Sequence, residues 1–182
     1  MQHLSDRNIG LVFGTDTGNT EEIGEKIIAC LSKHGCVVEI LNVTDTSAAE
    51  IQNFDVLIMG IPTWDFGGIQ EDWEDFEDSI LSTNLSNTIV ALYGLGDQLG
   101  YGDYFVDAMG WLHERAVKAG ATIIGEWSTE GYDFEASLAT DKEKTKFCGL
   151  AIDDDQQFHL TDERIGRWVA QITSEYTQLI AA

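Results

Sequence analysis

Short apolar runs and longer stretches of helical periodicity alternate along this chain. The apolar runs lie at 9–13 (IGLVF), 37–41 (VVEIL), 55–60 (DVLIMG), 88–94 (TIVALYG) and 121–127 (ATIIGEW), with a shorter one at 147–152 (FCGLAI). The first four are bounded by polar or turn residues and are apolar enough to be buried on both faces, as strands of a parallel sheet are. Between the runs, helical spacing groups Ile23, Ile27, Ile28 and Leu31 within 20–33, and Trp73, Phe76, Ile80 and Leu81 within 71–81. It groups Phe105, Val106, Met109, Leu112 and Val117 within 103–118, and Ile165, Trp168, Val169, Ile172, Tyr176 and Leu179 within 161–180. Thr161, followed by Asp162 and Glu163, predicts the start of the last helix. Such alternation predicts an open parallel sheet with helices on both faces, joined by right-handed crossovers. One interval breaks the rhythm: STEGYDFEASLATDKEKTK, at about 128–147, separates ATIIGEW from FCGLAI. A stretch of that length within a compact domain is usually an excursion with a role of its own. Its position predicts an insertion within or beside the last strand.

Composition narrows the class. The 182 residues, 43% of them hydrophobic, favour a single domain over 1–182 with a substantial core. There is no internal repeat and no Pro/Gly/Ser linker, and Pro62 is the only proline. No apolar run approaches the roughly 20 residues of a membrane span, and MQHLSDRNIG lacks the basic start and apolar stretch of a signal peptide. The expected location is therefore the cytoplasm. Three cysteines without paired spacing argue against a disulfide framework or a zinc site. Cys30 and Cys148 read as small buried residues, with Cys36 open to partial exposure. Thirty-two acidic against 10 basic residues give a net charge of −22. That surface repels nucleic acid and anionic membranes and would attract a basic partner protein, although solubility alone also accounts for it.

In an open α/β sheet, ligands bind outside the carboxyl ends of the strands, and three predicted strand ends carry unusual loops. The first, FGTDTGNT, joins a strand to a helix without Lys or Arg. A helix N-terminus offers unpaired N–H groups and a partial positive charge, so it can hold an anion by itself. Thr15, Thr17, Asn19 and Thr20 add donors, and Gly14 and Gly18 allow close approach. The lysine of a Walker A loop is missing, which favours a small, permanently held phosphate monoester over a nucleoside triphosphate. An ordinary capped helix is the plain alternative. The second loop, PTWDFGG, presents Trp64 in a turn set by Pro62, Gly67 and Gly68. The third, GLGDQLGYGDY, offers Tyr101 and a hydrogen-bond acceptor in Asp97. Two aromatics from separate loops beside a phosphate cradle suggest a flat ring stacked between side chains, with a phosphate tail.

Several long motifs in the same order resemble those of the long-chain flavodoxins: FGTDTGNTEEIGEKI, DVLIMGIPTWDFGGIQEDWEDF, IVALYGLGDQLGYGDYFVDAMG, GATIIGEWSTEGYDFEAS and FCGLAIDDDQQFHLTDERIGRWVAQI. The resemblance covers about residues 8–176, and the wording of the second and third loops is close to that of a second flavodoxin subgroup found in some bacteria. It implies a doubly wound α/β/α sandwich around a five-stranded parallel sheet of order 2-1-3-4-5, its last strand interrupted by the long-chain insertion. It implies non-covalent FMN, with the phosphate on Thr15, Asp16 (through its backbone), Thr17, Gly18, Asn19 and Thr20. Trp64 would cover the inner face of the flavin and Tyr101 the outer face. Asp97 would meet the pyrimidine edge, and the Asp65–Phe66 peptide would lie beside N5. Pro62, Thr63, Gly67, Leu95, Gly96 and Asp103 would complete the surroundings, and Asp153 would reach the ribityl chain. No catalytic residue and no metal site is implied. One departure is Asp65, where a glycine would ease a peptide flip, so a flip is expected to cost more here.

The function implied is a low-potential electron carrier cycling between flavin semiquinone and hydroquinone. It would be a monomer serving basic-surfaced redox proteins, namely a flavodoxin/ferredoxin-NADP reductase type of donor and terminal acceptor enzymes. The main alternative is an FMN-dependent NAD(P)H or quinone reductase on the same fold. Aromatic cover on both ring faces, and loops without a basic group for a pyridine-nucleotide phosphate, argue against it. A phospho-acceptor signalling domain would need an acidic cluster and a placed lysine, a pattern GTDTGNT does not supply.

Overall fold

The computed structural model describes residues 3–182. Its sheet is built from β1 (Ile9–Phe13), β2 (Val38–Asn42), β3 (Val56–Trp64), β5 (Ile89–Leu95), β6 (Thr122–Ile124) and β9 (Leu150–Ile152), with a short β4 (Gly68–Ile69) folded back on β3. The order is β2-β1-β3-β5, and β5 then pairs with two partners. Ile89–Ala91 pair in parallel with β6, and Tyr93–Leu95 pair in parallel with β9. The fifth position of the sheet is therefore filled in two halves, and residues 125–149 form the excursion between them. The five-position order and the interrupted last strand expected from the sequence are both present.

Helices α1 (Asn19–Lys33) and α6 (Asp154–Ala181) pack together over one face of the sheet. α2 (Ala48–Ile51), α4 (Glu77–Ser82) and α5 (Asp107–Lys118) pack over the other, preceded by a short α3 (Glu71–Asp75). β1 and β3 are sandwiched, so Leu11, Leu57 and Ile61 are wholly buried. The run at 37–41 differs from the expectation of burial on both faces: Val37 precedes the strand and is 84% exposed, and Ile40 within β2 is 39% exposed because β2 is an edge strand with one neighbour.

Several boundaries also differ. The helix expected over 71–81 is two short helices divided at Phe76, and Leu81 faces solvent. The one expected from 103 starts at Asp107, because Gly102–Tyr104 form a 3-10 turn and Val106 is left-handed (φ 50°). The last helix starts seven positions before Thr161, at Asp154, and is kinked at Gln157, whose backbone is not helical (φ −133°, ψ 32°). Asp153 caps it by accepting from Gln156 N, and Thr161 lies inside it, donating its hydroxyl to Asp154. The first turns, DDQQFH, face solvent and so carry no apolar period to betray them. Cys36 is buried (3% exposed), while Cys30 and Cys148 are half-buried.

The excursion has its own apolar centre. β7 (Trp127–Ser128) and β8 (Lys146–Phe147) pair antiparallel at its neck. Tyr132, Phe134 and Phe147 then surround Phe105, with ring centroids 5.6–5.8 Å from it. Tyr132 Oη donates to the Ala151 carbonyl of β9 (2.6 Å) and accepts from Trp127 Nε1 (2.9 Å). Burial pushes the Tyr132 phenol up to about 12. The Arg164 guanidinium of α6 lies 3.9 Å from the Tyr132 ring centroid, so a cation–π contact closes the excursion onto the last helix.

The chain re-enters the sheet at Gly149, where a Cβ would lie 2.3 Å from the Leu92 carbonyl oxygen of β5. Gly149→Ala is expected to destabilise the fold by about 1–3 kcal/mol, because that neighbour is backbone. Gly166→Ala, in α6 with nothing within 4 Å of an added Cβ, is expected to stabilise it by about 0.5–1 kcal/mol. Urea unfolding of both variants against the parent chain checks the two signs.

Candidate functional site

The parallel arrangement brings the loops after β1, β3 and β5 to one edge of the sheet, where they bound a cleft of about 260 Å³. After β1 the backbone turns through Gly18 (φ 90°), a conformation that a residue with a Cβ adopts only under strain. Gly18 N donates to Thr15 Oγ1 (2.9 Å), which closes the turn. Gly18 occupies the cap position of α1 and brings no capping side chain. The first-turn N–H groups of α1 therefore open on the cleft with the hydroxyls of Thr15, Thr17 and Thr20 and the amide of Asn19 around them. No lysine or arginine lines the cleft. The chemistry of that donor set is that of an anion site made from backbone and hydroxyl groups, and a dianionic phosphate monoester fits it.

At the other end stand Trp64, 37% exposed, and Tyr101, 40% exposed. Trp64 ends β3 and pairs with Gly68 of β4 across a tight turn, in which Asp65 (φ 43°) and Gly67 (φ 83°) are both left-handed. Asp65 thus already holds the conformation that its side chain makes costly. Tyr101 Oη donates to Asp65 Oδ1 (3.3 Å), linking the second and third loops. Phe66, 77% exposed, leans edge-on against Tyr101 and Tyr104, with centroids 6.0 and 5.8 Å away. Asp97 Oδ1 accepts from Leu99 N (3.1 Å), Gly100 N (2.7 Å) and Gln156 Nε2 (3.0 Å), while its Oδ2 has no hydrogen-bond partner among the described residues.

Of the residues expected from the sequence, Thr15, Thr17, Asn19, Thr20, Pro62, Thr63, Trp64, Asp65, Leu95, Gly96, Asp97 and Tyr101 line this one cleft. Gly18 and Asp16 shape it through their backbone, and the Asp16 carboxylate is turned to Gln70 Nε2 (3.2 Å). Phe66 and Asp103 border an adjoining hollow, and Gly67 sits in the turn behind. Asp153 does not line the cleft. It is 1% exposed, and its carboxylate accepts from Gln156 N, Gln98 N and Gln98 Nε2. Asp154 and Asp155 line the cleft in its place, together with Tyr104. They follow the last strand, so the strand-end rule that found the other three loops would also have found them.

Two of the carboxylates are perturbed in opposite senses. Burial pushes Asp97 up, but its hydrogen bonds from Gly100 N, Gln156 and Leu99 N together outweigh burial and hold it below the ordinary value. Burial raises Asp155, and the neighbouring Asp97, Asp153 and Asp154 raise it further. The cleft wall is thus a cluster of acids that resists more negative charge.

The chain is similar to known proteins over most of its length. The family model described as Flavodoxin matches residues 11–168. Flavodoxin 2 of Escherichia coli is 46% identical over 171 residues, covering 94% of this chain and 98% of that one. A flavodoxin of Picosynechococcus is 45% identical over 164 residues, covering 90% and 95%. Among solved structures, Fusobacterium nucleatum flavodoxin bound to flavin mononucleotide superimposes with a TM-score of 0.86 at 32% identity, covering 93% of this chain and 98% of that one.

The two perturbed carboxylates set a pH signature. The folded pKa of Asp155 lies above 3.8, so the native state binds more protons than the unfolded one, and stability falls as pH rises through that window. Asp155→Asn is expected to raise stability at neutral pH and to change nothing well below 3.8. Asp97 works in reverse: its contribution is present above 3.8 and is lost as pH falls through its lower folded value. Asp97→Asn should therefore flatten the acid limb. Urea midpoints between about pH 2 and about pH 7 check both.

Proposed function

The chain belongs to the flavodoxin family, and on that premise we propose that it carries single electrons at low potential between redox partner proteins on a non-covalently bound FMN. The observation that carries this reading is the cleft itself. It has an uncapped helix N-terminus and hydroxyls at one end, two half-exposed aromatics at the other, and no cation in its lining. Bound FMN supplies the redox chemistry, taking up two electrons in separate one-electron steps.

The chain's own residues do the rest. Thr15, Thr17, Asn19 and Thr20, with the backbone N–H groups of Asp16 and of the first turn of α1, would hold the phosphate. Trp64 and Tyr101 would cover the two faces of the ring, Trp64 the inner and Tyr101 the outer, and so limit its contact with water. Asp97 Oδ2, which has no partner among the described residues, would be free to accept from the ring's N3–H. The backbone carbonyl of Asp65 would be the acceptor available for a hydrogen bond from ring N5–H. Asp65, Asp97, Asp154 and Asp155 place carboxylates along the cleft, so a negative charge added there is repelled. For a one-electron couple, about 1.4 kcal/mol of such repulsion lowers the potential by about 59 mV.

The protein acts as a carrier, without turnover of its own. Aromatic cover leaves little ring surface for a hydride donor, and the cleft has no basic group to receive a pyridine-nucleotide phosphate. Its partners dock through Lys/Arg patches on the acidic face. There Phe66, Leu99, Tyr101 and Tyr104 form an exposed apolar centre beside Asp103, Asp133 and Glu135. No helix among the described residues is long and apolar enough to cross a membrane. We place the carrier in the cytoplasm as a single FMN-binding unit, acting as a monomer.

Added to flavin-free protein, FMN is expected to bind one to one, and a reductive titration is expected to resolve two one-electron steps. A single two-electron step, or NADPH–quinone turnover without a partner, sinks the carrier reading. Asp65→Asn removes a charge while keeping a residue that tolerates the left-handed turn, and should raise the lower of the two potentials by tens of millivolts, to order of magnitude. Transfer rates to a basic reductase, followed by stopped flow, should fall steeply as salt rises from about 0.01 M to about 1 M. Rates indifferent to salt would return the net charge of −22 to solubility.

A further inference from the structure

We propose that Gln98 is a positioning residue through which the excursion at 125–149 sets the loop that meets the FMN ring; this rests on the FMN reading above. Gln98 is next to Asp97 in the chain, yet it is 2% exposed and lines no part of the cleft. Every polar group of its side chain is engaged. Its Oε1 accepts from Asp133 N of the excursion, and its Nε2 donates to Asp153 Oδ2 (2.7 Å). Its backbone N donates to the same oxygen (3.0 Å). Asp153 Oδ1 accepts from Gln156 N (3.0 Å), and Gln156 Nε2 returns to Asp97 Oδ1 (3.0 Å). A closed circuit thus runs from the excursion through Gln98, Asp153 and Gln156 to the carboxylate at the ring edge.

The far end of the same loop is gripped as well. The Gly102 carbonyl accepts from Glu135 N (2.9 Å) and Ala136 N (3.0 Å), both in the excursion. The segment 97–102, which brings Asp97 and Tyr101 to the cleft, is therefore tied at both ends to residues 133–136. Phe105, held in the excursion's aromatic centre, continues the grip. It leads directly into the left-handed Val106, a β-branched residue in a conformation that persists only when its surroundings force it. The phosphate end has no such tie, because it is built from the turn into α1. The circuit therefore acts on recognition of the ring and not on that of the phosphate.

The test measures, on the full chain, dissociation constants for FMN and for riboflavin, and amide hydrogen exchange at Leu99 and Gly100 in the flavin-free protein. Gln98→Met keeps the volume and removes the polar ties. It is expected to weaken FMN and riboflavin by the same factor, about tenfold, leaving their ratio unchanged, and to speed exchange at Leu99 and Gly100 about tenfold. Thr17→Ala, at the phosphate end, is expected to change the ratio. Should Gln98→Met fail to fold, Asp153→Asn carries the same expectations at smaller size, since it leaves one acceptor oxygen for three donors. A merely structural tie would lower the Tm while riboflavin affinity and exchange stayed at parent values, and that result overturns the proposal. A shifted FMN-to-riboflavin ratio in Gln98→Met also overturns it. Failure of the parent chain to bind either flavin would overturn the FMN reading, and exchange at Leu99 and Gly100 would still judge the circuit.

Discussion

The edge of β5 is hydrogen-bonded to two strands that are far apart in the chain, and the rest of the molecule follows from that pairing. Ile89–Ala91 take β6 and Tyr93–Leu95 take β9, so the sheet closes only when residues 125–149 leave and return. The return brings Asp153 to the carboxyl end of the last strand, directly beside the loop after β5. It lays Tyr132, Phe134 and Phe147 around Phe105, so the excursion is packed against the sheet's working edge. Without the split pairing, the third loop would rest on its own glycines. With it, that loop has a buried frame.

A second constraint is electrostatic. The chain must hold an anionic group on a protein that itself carries a net charge of −22. A lysine in the first loop would bind phosphate more strongly, but it would also place a positive charge in the cleft that houses the ring. Unpaired N–H groups and hydroxyls hold phosphate through short-range, directional bonds whose field falls off within a turn of helix. Negative charge can therefore be concentrated at the ring end without being cancelled from the phosphate end. Binding strength and low potential become separable, because they depend on different ends of one cleft.

Much of this was legible in the chain. β1, β3 and β5 read directly from buried apolar runs, α1 from its one-sided period, and the excursion from a long break in the rhythm. Twelve residues of the cleft were named from the sequence, most from three strand-end loops in which glycine, hydroxyl and aromatic residues cluster, and Thr63, Asp65 and Leu95 from the family resemblance. The misreadings share a cause. The early start of α6 was hidden by solvent-facing turns, the divided helix at Phe76 by an apolar spacing that spans the break, and the exposure of β2 by its place at the sheet's edge. Asp153 was placed at the ligand by the family resemblance, yet its neighbours Asp154 and Asp155 face the cleft while it caps the helix.

The division has a physical basis. Periodicity and turn composition are properties of residues a few positions apart, so the sequence alone determined the class of fold and the edge of the sheet at which the cleft lies. The circuit that holds the ring-edge loop joins Gln98 to Asp133 and Asp153, and Gln156 to Asp97, across 35 to 59 positions. No local pattern encodes such a pairing. It exists only once the split fifth strand has buried Gln98 and Asp153 beside the excursion, where their polar groups must find partners, with Gln156 carrying the link out to Asp97 at the surface.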